Sequence, residues 1–178
     1  MEYTTDTHGG LVTVEEPEPD GFATFYATGY PRLAALLYAY LGDATEAEDV
    51  AQEAFLRAWR SWASISRYDD PVAWVRHVAW NLATSRLRRL GTAARYLARQ
   101  STAEGAAAAL LGPDRVALVA ALRQLPERQR RAIVLHYLGD LPVADVASEL
   151  GVPRGTVLSW LHRGRARLAE LLEGASHE

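Results

Sequence analysis

Apolar residues recur mostly at three- and four-residue intervals along this 178-residue chain, beginning at Phe22. This is the period of an α-helix with one buried face, and no segment shows the two-residue alternation of a half-buried strand. The pattern therefore predicts an all-α protein. Helices are predicted over residues 22–41, 45–62 and 71–90 in the first half of the chain, and over 114–124, 127–138, 143–150 and 154–172 in the second.

Residues with special backbone preferences mark the ends of the first three helices. Gly42 breaks the first pattern, and Thr45 suits the N-cap of the second helix because its hydroxyl can accept a backbone N–H. Pro71 suits the first position of the third helix, with Asp70 before it as the cap. Gly91 follows the last apolar residues of the third helix and is expected to end it.

The helical pattern is interrupted once for long enough to separate two small domains. Residues 91–113 are rich in Ala, Gly, Ser and Thr and are predicted to form a flexible linker, with a partly helical start as the alternative. The first twenty residues contain six acids and few large apolar side chains, a composition typical of disorder. The predicted organisation is an acidic tail over 1–20, a helical domain over 21–90, the linker over 91–113, a second helical domain over 114–173 and a short tail over 174–178.

The net charge of −3 conceals a strong asymmetry along the chain. Residues 1–53 carry eleven acids and one arginine, net −10, and residues 54–131 carry fourteen arginines and five acids, net +9. The remaining residues carry four arginines and six acids, net −2. A basic middle between acidic flanks favours separate contacts with a polyanion and with a protein, over a chance fluctuation of charge.

The segment from residue 142 to 167 has the pattern of two short helices joined by a tight turn. Gly151 can supply the turn, and Pro153 prevents the first of the two helices from continuing. The second helix opens with short polar groups and arginines, which suit base edges and phosphates in a major groove. This favours a DNA-binding helix-turn-helix over the alternative, a helical hairpin with a solvated basic end.

The third helix of the first domain has a second patterned face beside its apolar one. That face combines an aromatic ring, an amide and cations, as recognition of unstacked bases requires. Each residue alone would more ordinarily belong to the core or to a solvated surface, but together they favour binding to a melted strand. The apolar face holds Val72, Val75, Ala79 and Leu82, and the other holds Trp74, His77, Asn81, Thr84, Ser85 and Arg88.

The second helix has an acidic face that carries one exposed apolar residue. Leu56 is surrounded there by Asp49, Gln52 and Glu53, a combination that suits a protein interface, although a single exposed leucine is ordinarily unremarkable. The opposite stripe is predicted to be core and holds Val50, Ala54, Phe55, Ala58, Trp59 and Trp62.

Several functional classes are disfavoured by what the chain does not contain. Cysteine is absent, which rules out disulfides and thiolate zinc sites, and no apolar run approaches the length of a membrane span. The five histidines form no metal-spaced pair, and no nucleophile–base motif or phosphate-binding glycine loop is present. An enzyme such as a small hydrolase is therefore the weaker of two rival interpretations. The other is a helix-turn-helix repressor or activator, which would need a dimer interface and a palindromic site.

Three segments, in order, resemble conserved regions of bacterial RNA polymerase sigma factors. AEDVAQEAFLRAWRSW (47–62) resembles the polymerase-binding helix of region 2, and DDPVAWVRHVAWNLATSRLRR (69–89) its promoter-melting and minus-ten recognition helix. Residues 125–168, from LPERQRRAIVLHYLGDL to the helix-turn-helix, are similar to region 4, which binds the minus-thirty-five element. The absence of a large middle domain places the resemblance in the extracytoplasmic-function (ECF) group, and the small polar Ser85 fits an actinobacterial branch.

The resemblance implies a cytoplasmic sigma factor that binds core polymerase, recognises both promoter elements and aids melting. It implies no cofactor, no metal and no enzymatic activity. The implied partners are the clamp helices of the largest polymerase subunit, the flap region, promoter DNA and an anti-sigma factor. The implied contacts are Asp49, Gln52, Glu53 and Leu56 with polymerase; Trp74, Asn81, Ser85, Arg86, Arg88 and Arg89 with the minus-ten element; and Arg154, Thr156, Ser159, Arg163 and Arg165 with the minus-thirty-five element.

Three positions depart from the pattern of the family. Ser85 stands where many relatives have Asp, and Leu158 and Trp160 stand where relatives often carry basic residues. Either this chain makes fewer phosphate contacts, or Trp160 packs into its domain.

Overall fold

The computed structural model describes residues 19–97 and 113–175, and within them it contains helices and turns but no strand. The all-α prediction is confirmed, while residues 1–18 of the predicted tail and 98–112 of the predicted linker lie outside the described residues. The first domain comprises α1 (Pro19–Leu41), α2 (Ala44–Arg60), α3 (Trp62–Ile65) and α4 (Pro71–Leu97). The second comprises α5 (Pro113–Arg123), α6 (Glu127–Ile133), a π-helical continuation of α6 (Val134–Leu138), α7 (Val143–Leu150) and α8 (Arg154–Ala175).

Side-chain caps fix where α2 and α4 begin. Asp43 caps α2 by accepting the backbone N–H of Glu46 at 3.0 Å, so the prediction that Thr45 is the N-cap is wrong. Gly42 reverses the chain just before it with a φ of 72°, which allows α2 to start at once. Asp70 caps α4 as predicted, accepting the N–H of Ala73 at 2.9 Å.

The core of the first domain is built where α2 packs between α1 and α4. The buried stripe of α2 is rich in alanine, which lets the backbones of these helices approach closely. Phe55 and Trp62 fill the space at one end beside Phe25 of α1, with ring centroids 5.5 and 4.9 Å from that ring. The buried residues of α2 are Ala44, Ala47, Val50, Ala51, Ala54, Phe55 and Ala58.

Three details of the first domain differ from the sequence-based prediction. Trp59, predicted as core, is 49% exposed, with its ring edge to face on Phe22 near the start of α1. Val72, also predicted as core, is 50% exposed because it lies in the first turn of α4, at the edge of a groove of about 620 Å³ that α5 also lines. Gly91 does not end α4, which continues to Leu97, since a helix tolerates one glycine at a cost of about 1 kcal/mol.

The second domain contains the predicted helix-turn-helix. Gly151 ends α7 in the left-handed conformation, with φ 64° and ψ 37°, and the N–H of Val152 returns to the carbonyl of Ala147 at 3.0 Å. α8 then crosses α6 so closely that a Cβ on Gly164 would lie 2.5 Å from Ile133 Cδ1. The absence of a side chain at Gly164 therefore allows the two helices to approach closely.

The two domains pack against each other in the described structure. The rings of Tyr40 and Trp80, from the first domain, are fully buried and meet edge to face at 4.6 Å. From α6, the guanidinium of Arg130 lies 5.2 Å from the Tyr40 ring centre, and that of Arg131 lies 5.2 Å from the Trp80 ring centre. The Tyr40 hydroxyl donates a 2.9 Å hydrogen bond to the carboxylate of Glu127.

A largely shielded ion pair forms a second contact between the domains. Arg76 of α4 donates from Nε to Glu149 Oε2 of α7 at 2.9 Å, and their side chains are 15% and 7% exposed.

Burial, reinforced by the Glu127 carboxylate, raises the pKa of Tyr40 to about 12, so its hydroxyl stays protonated at neutral pH. Burial also lowers the pKa of Arg130 and of Arg131, because both charges are partly removed from water.

Candidate polymerase and nucleic-acid interfaces

The acidic face of α2 is exposed, with its apolar residue in the centre. Leu56 is 43% exposed, and Asp49 and Gln52 are exposed beside it. Glu53 is less open because Arg57, one turn further along α2, donates to its carboxylate at 2.8 Å. The four residues predicted from the sequence therefore share one surface, which is acidic at its edges and apolar in its middle.

Three aromatic residues that the sequence analysis did not assign to this surface extend it. Tyr26 and Trp59 are 39% and 49% exposed, and together with Phe22 they line a shallow depression of about 650 Å³ that also includes Leu56. Trp59 is three residues after Leu56, the spacing of neighbours on a helix face, so that spacing could have revealed it. We call Tyr26, Leu56, Trp59 and the three flanking polar residues Asp49, Gln52 and Glu53 the α2 surface.

Arg86 faces α2 and not the predicted nucleic-acid surface of α4. Its guanidinium Nη1 donates to Glu46 at 2.6 Å and lies 3.5 Å from Asp49. The hydrogen bond to Glu46 raises the pKa of Arg86, which stays charged. Arg86 thus joins α4 to α2 at the edge of the α2 surface and neutralises part of its negative charge.

The outward face of α4 brings together most of the residues predicted to contact the minus-ten element. His77, Asn81 and Ser85 are exposed in successive turns, and Arg88 and Arg89 are exposed beyond them. The side-chain amide of Asn81 is hydrogen-bonded to the ring of His77, with Nδ2 and Nε2 3.0 Å apart. That contact orients the amide before any ligand is present.

Trp74 differs from the other predicted residues of this face. It is half-buried and packs against the hydrophobic core of the first domain, so only part of its ring is available to a base.

The α8 helix presents its predicted residues near its N-terminal end. Arg154, Ser159 and Arg163 are exposed, and Thr156 is half-buried. Arg163 is held along the helix, since its Nη2 donates to Ser159 Oγ at 2.9 Å. Arg165 points to a different neighbour, the Tyr137 hydroxyl at 3.5 Å.

Leu158 and Trp160 of α8, which stand where relatives often carry basic residues, lie in different environments. Trp160 is half-buried against the core of the second domain, which is the second of the two alternatives left open by the sequence. Leu158 is 56% exposed on the surface that a basic residue would otherwise occupy.

Within the described ranges, no cluster of three or more His, Cys, Asp or Glu residues could hold a metal ion. In the same ranges, no helix has the length and apolar character to cross a membrane.

Comparison with known protein families assigns both halves of the chain. Residues 25–93 match the model of sigma-70 region 2, and residues 115–168 match that of sigma-70 region 4. These segments contain α2 and α4 in the first match and the helix-turn-helix in the second.

Individual relatives agree with this assignment over most of the chain. The ECF RNA polymerase sigma factor SigW of Bacillus subtilis is 30% identical over 177 residues, covering 89% of this chain and 92% of SigW. SigL of Mycobacterium tuberculosis, also an ECF sigma factor, is 37% identical over 145 residues, covering 75% of this chain and 80% of SigL. Among solved structures, the sigma factor RpoE of Bartonella quintana, in complex with the anti-sigma factor NepR, superposes with a TM-score of 0.69 at 25% identity, covering 86% of this chain and 98% of RpoE.

The contact of Arg86 with α2 predicts a measurable coupling to Glu46. In a double-mutant cycle of Arg86→Ala and Glu46→Ala, followed by urea unfolding, we expect a coupling free energy of about 1 kcal/mol, because the bond is short and partly shielded. The exposed Arg57–Glu53 pair is the matched control and should give about 0.3–0.5 kcal/mol. A coupling near zero for Arg86 and Glu46 would show that α2 does not hold this arginine.

Proposed function

Because the chain belongs to the ECF group of RNA polymerase sigma factors, which direct promoter-specific transcription initiation, we propose a separate role for each of its three exposed helix faces. The α2 surface binds core polymerase, α4 captures the melted minus-ten strand, and α8 binds the minus-thirty-five element. One observation carries this proposal: α2, α4 and α8 each keep a polar face exposed after the domain cores and the domain contact are filled.

The rival interpretations explain less of the structure. A repressor or activator that acts without polymerase would use the helix-turn-helix, but it would leave the α2 surface and the outward face of α4 without a role. We propose that the chain has no catalytic activity of its own and works in the cytoplasm, where the polymerase performs the chemistry. An anti-sigma factor is a further proposed partner, since the similar RpoE is bound by one.

The α2 surface has the composition of a protein-binding patch. Its centre combines Leu56 with the large aromatic Trp59, and its edges are acidic, so it suits a partner with an apolar centre and basic edges. Aromatic side chains at such a centre contribute much of the binding free energy in protein interfaces. We therefore infer that Tyr26 and Trp59 contribute to polymerase binding together with Asp49, Gln52, Glu53 and Leu56.

The outward face of α4 suits recognition of single-stranded bases. Asn81 presents an oriented amide to a base edge, and Ser85 adds a hydroxyl one turn later. Arg88 and Arg89 follow and suit contacts with the phosphate backbone, while the exposed part of the Trp74 ring lies two turns before Asn81. Arg86 was assigned to the minus-ten contacts only by the resemblance to sigma factors. Its guanidinium is directed to α2 and not to the outward face of α4.

The N-terminal part of α8 suits contact with duplex DNA. Arg154 and Thr156 lie in its first turn, where side chains of a recognition helix meet base edges. Arg163 and Arg165 lie two to three turns further along, a position that suits phosphates. The Arg163–Ser159 bond holds both side chains along the helix axis.

Replacing Leu56 by arginine should abolish binding to core polymerase. The substitution places a charge in the apolar centre of the α2 surface, while the exposed position of Leu56 leaves the fold intact. Leu158→Arg, at a leucine of α8 that is at least as exposed as Leu56, is the matched control and should bind core polymerase normally. Co-elution with core enzyme and far-ultraviolet circular dichroism measure the two effects; co-elution of Leu56→Arg at wild-type affinity would contradict the assignment.

Replacing Asn81 by alanine should impair promoter opening without impairing polymerase binding. Melting exchanges base stacking and pairing for contacts with protein, and the mutation removes one contact that forms only with exposed bases. Open complexes on duplex promoters, measured by permanganate reactivity of thymines, should therefore decrease. The defect should shrink on a template with a pre-melted bubble.

Gln124→Ala removes an exposed amide outside α4 and is the matched control for Asn81→Ala. It should open duplex promoters like the wild type. Wild-type opening by Asn81→Ala as well would show that α4 does not capture the strand.

A further inference from the structure

The most exposed large apolar side chain of the described residues lies on α8. Leu158 is 56% exposed, against 39–50% for the eight other large apolar side chains that are exposed in this part of the chain. Trp160, the other position of α8 that departs from the family, packs against the core of the second domain. A single exposed leucine is ordinarily unremarkable, so the surroundings of Leu158 decide what it can contact.

The surroundings of Leu158 are basic. From Arg154 to Arg167, α8 holds four arginines and no acid. Leu56, the exposed leucine of α2, lies instead among acidic residues. The two leucines therefore suit partners of opposite charge, and the partner that suits α8 is a polyanion such as duplex DNA.

Leu158 lies on the side of α8 that the first turn also presents to solvent. Arg154 precedes it by four residues, the spacing of neighbours on a helix face, and both side chains are exposed. Gly155 lies beside them, and a Cβ there would meet no atom within 4 Å, which leaves open space next to Leu158. Ser159 and Arg163 are hydrogen-bonded to each other at 2.9 Å. Leu158 is therefore a side chain of the second turn that a base edge can reach.

The major groove of DNA offers one kind of apolar group to such a side chain. All four bases present hydrogen-bond donors or acceptors there, and thymine alone adds a 5-methyl group. A leucine against a phosphate or a polar base edge would displace water without replacing its hydrogen bonds. Against a 5-methyl group, both partners remove apolar surface from water. The chemistry of the side chain therefore favours thymine.

We propose that Leu158 is a specificity-determining residue that contacts the 5-methyl group of a thymine in the minus-thirty-five element. This inference rests on the proposed function, because it requires α8 to lie in the major groove of that element. One helical turn advances about 5.4 Å along α8, and base pairs are roughly 3.4 Å apart. The thymine therefore lies about one to two base pairs from the base that Arg154 contacts.

Uracil in place of thymine tests the contact, because uracil pairs in the same way and lacks only the 5-methyl group. The probe is a promoter obtained by run-off transcription with core polymerase on genomic fragments. Each thymine of its minus-thirty-five element, on either strand, is replaced in turn by uracil. The Kd of the complex of this chain with core polymerase is measured for each duplex by fluorescence anisotropy at one salt concentration.

Replacement of one thymine by uracil should weaken binding of the wild-type complex about fourfold, the effect of withdrawing one methyl-sized group from an apolar contact. Leu158→Ala should bring the ratio of the two Kd values at that position close to one. Alanine is a good helix former and the position is exposed, so the fold should be retained. Leu138→Ala, at an exposed leucine outside α8, is the matched control and should keep the wild-type ratio.

Several results would overturn the contact. One is a minus-thirty-five element without thymine on either strand, and another is wild-type binding that no uracil changes. A ratio that Leu158→Ala leaves at the wild-type value would overturn it too, since the methyl group would then be read by another residue. Absence of any specific transcript from the genomic fragments would instead overturn the proposed function, and this inference with it.

Discussion

The burial of Tyr40 and Trp80 beneath two arginines of α6 is the contact on which the arrangement of the two domains depends. Each cation–π contact in a partly desolvated site contributes about 0.5–2 kcal/mol. A buried polar atom left without a partner costs about 1–3 kcal/mol, and four such atoms surround this contact. The unpartnered atoms therefore set a cost against the gain from the cation–π contacts.

The domain contact also determines how α4 divides its surface. Arg76 and Trp80 face the second domain, Asn81 and Ser85 face outward, and Arg86 reaches α2. One helix therefore joins three parts of the molecule: the domain contact, the proposed strand-binding face and the edge of the α2 surface. A shift of α4 relative to α2 or α6 would move residues at the domain contact, at the strand-binding face and at the edge of the α2 surface. This physically links the proposed polymerase-binding and DNA-binding surfaces.

The sequence predicted the helices, the helix-turn-helix and the acidic face of α2 because each depends on residues close together in the chain. Apolar spacing and the Gly151 turn are of this kind. The sequence did not predict the domain contact, because Tyr40 and its partner Glu127 are 87 residues apart and nothing in the spacing of either helix reveals the other. Trp59 was misassigned because a large aromatic beside a core stripe is ordinarily buried, whereas here it lies at the edge of the exposed α2 surface. The DNA contacts assigned to α4 and α8 stay predictions.

The distance between the two domains during initiation tests the account most directly. Spin labels on cysteines introduced at positions 72 and 145 each lie about one helical turn from the Arg76–Glu149 ion pair, so their Cα atoms are within roughly 25 Å of each other in the free protein. This short distance, measured by double electron–electron resonance, should be replaced by one beyond about 50 Å when core polymerase and a transcribed promoter are added, because the two elements are far apart on DNA. An unchanged short distance in a complex that transcribes that promoter would contradict the account.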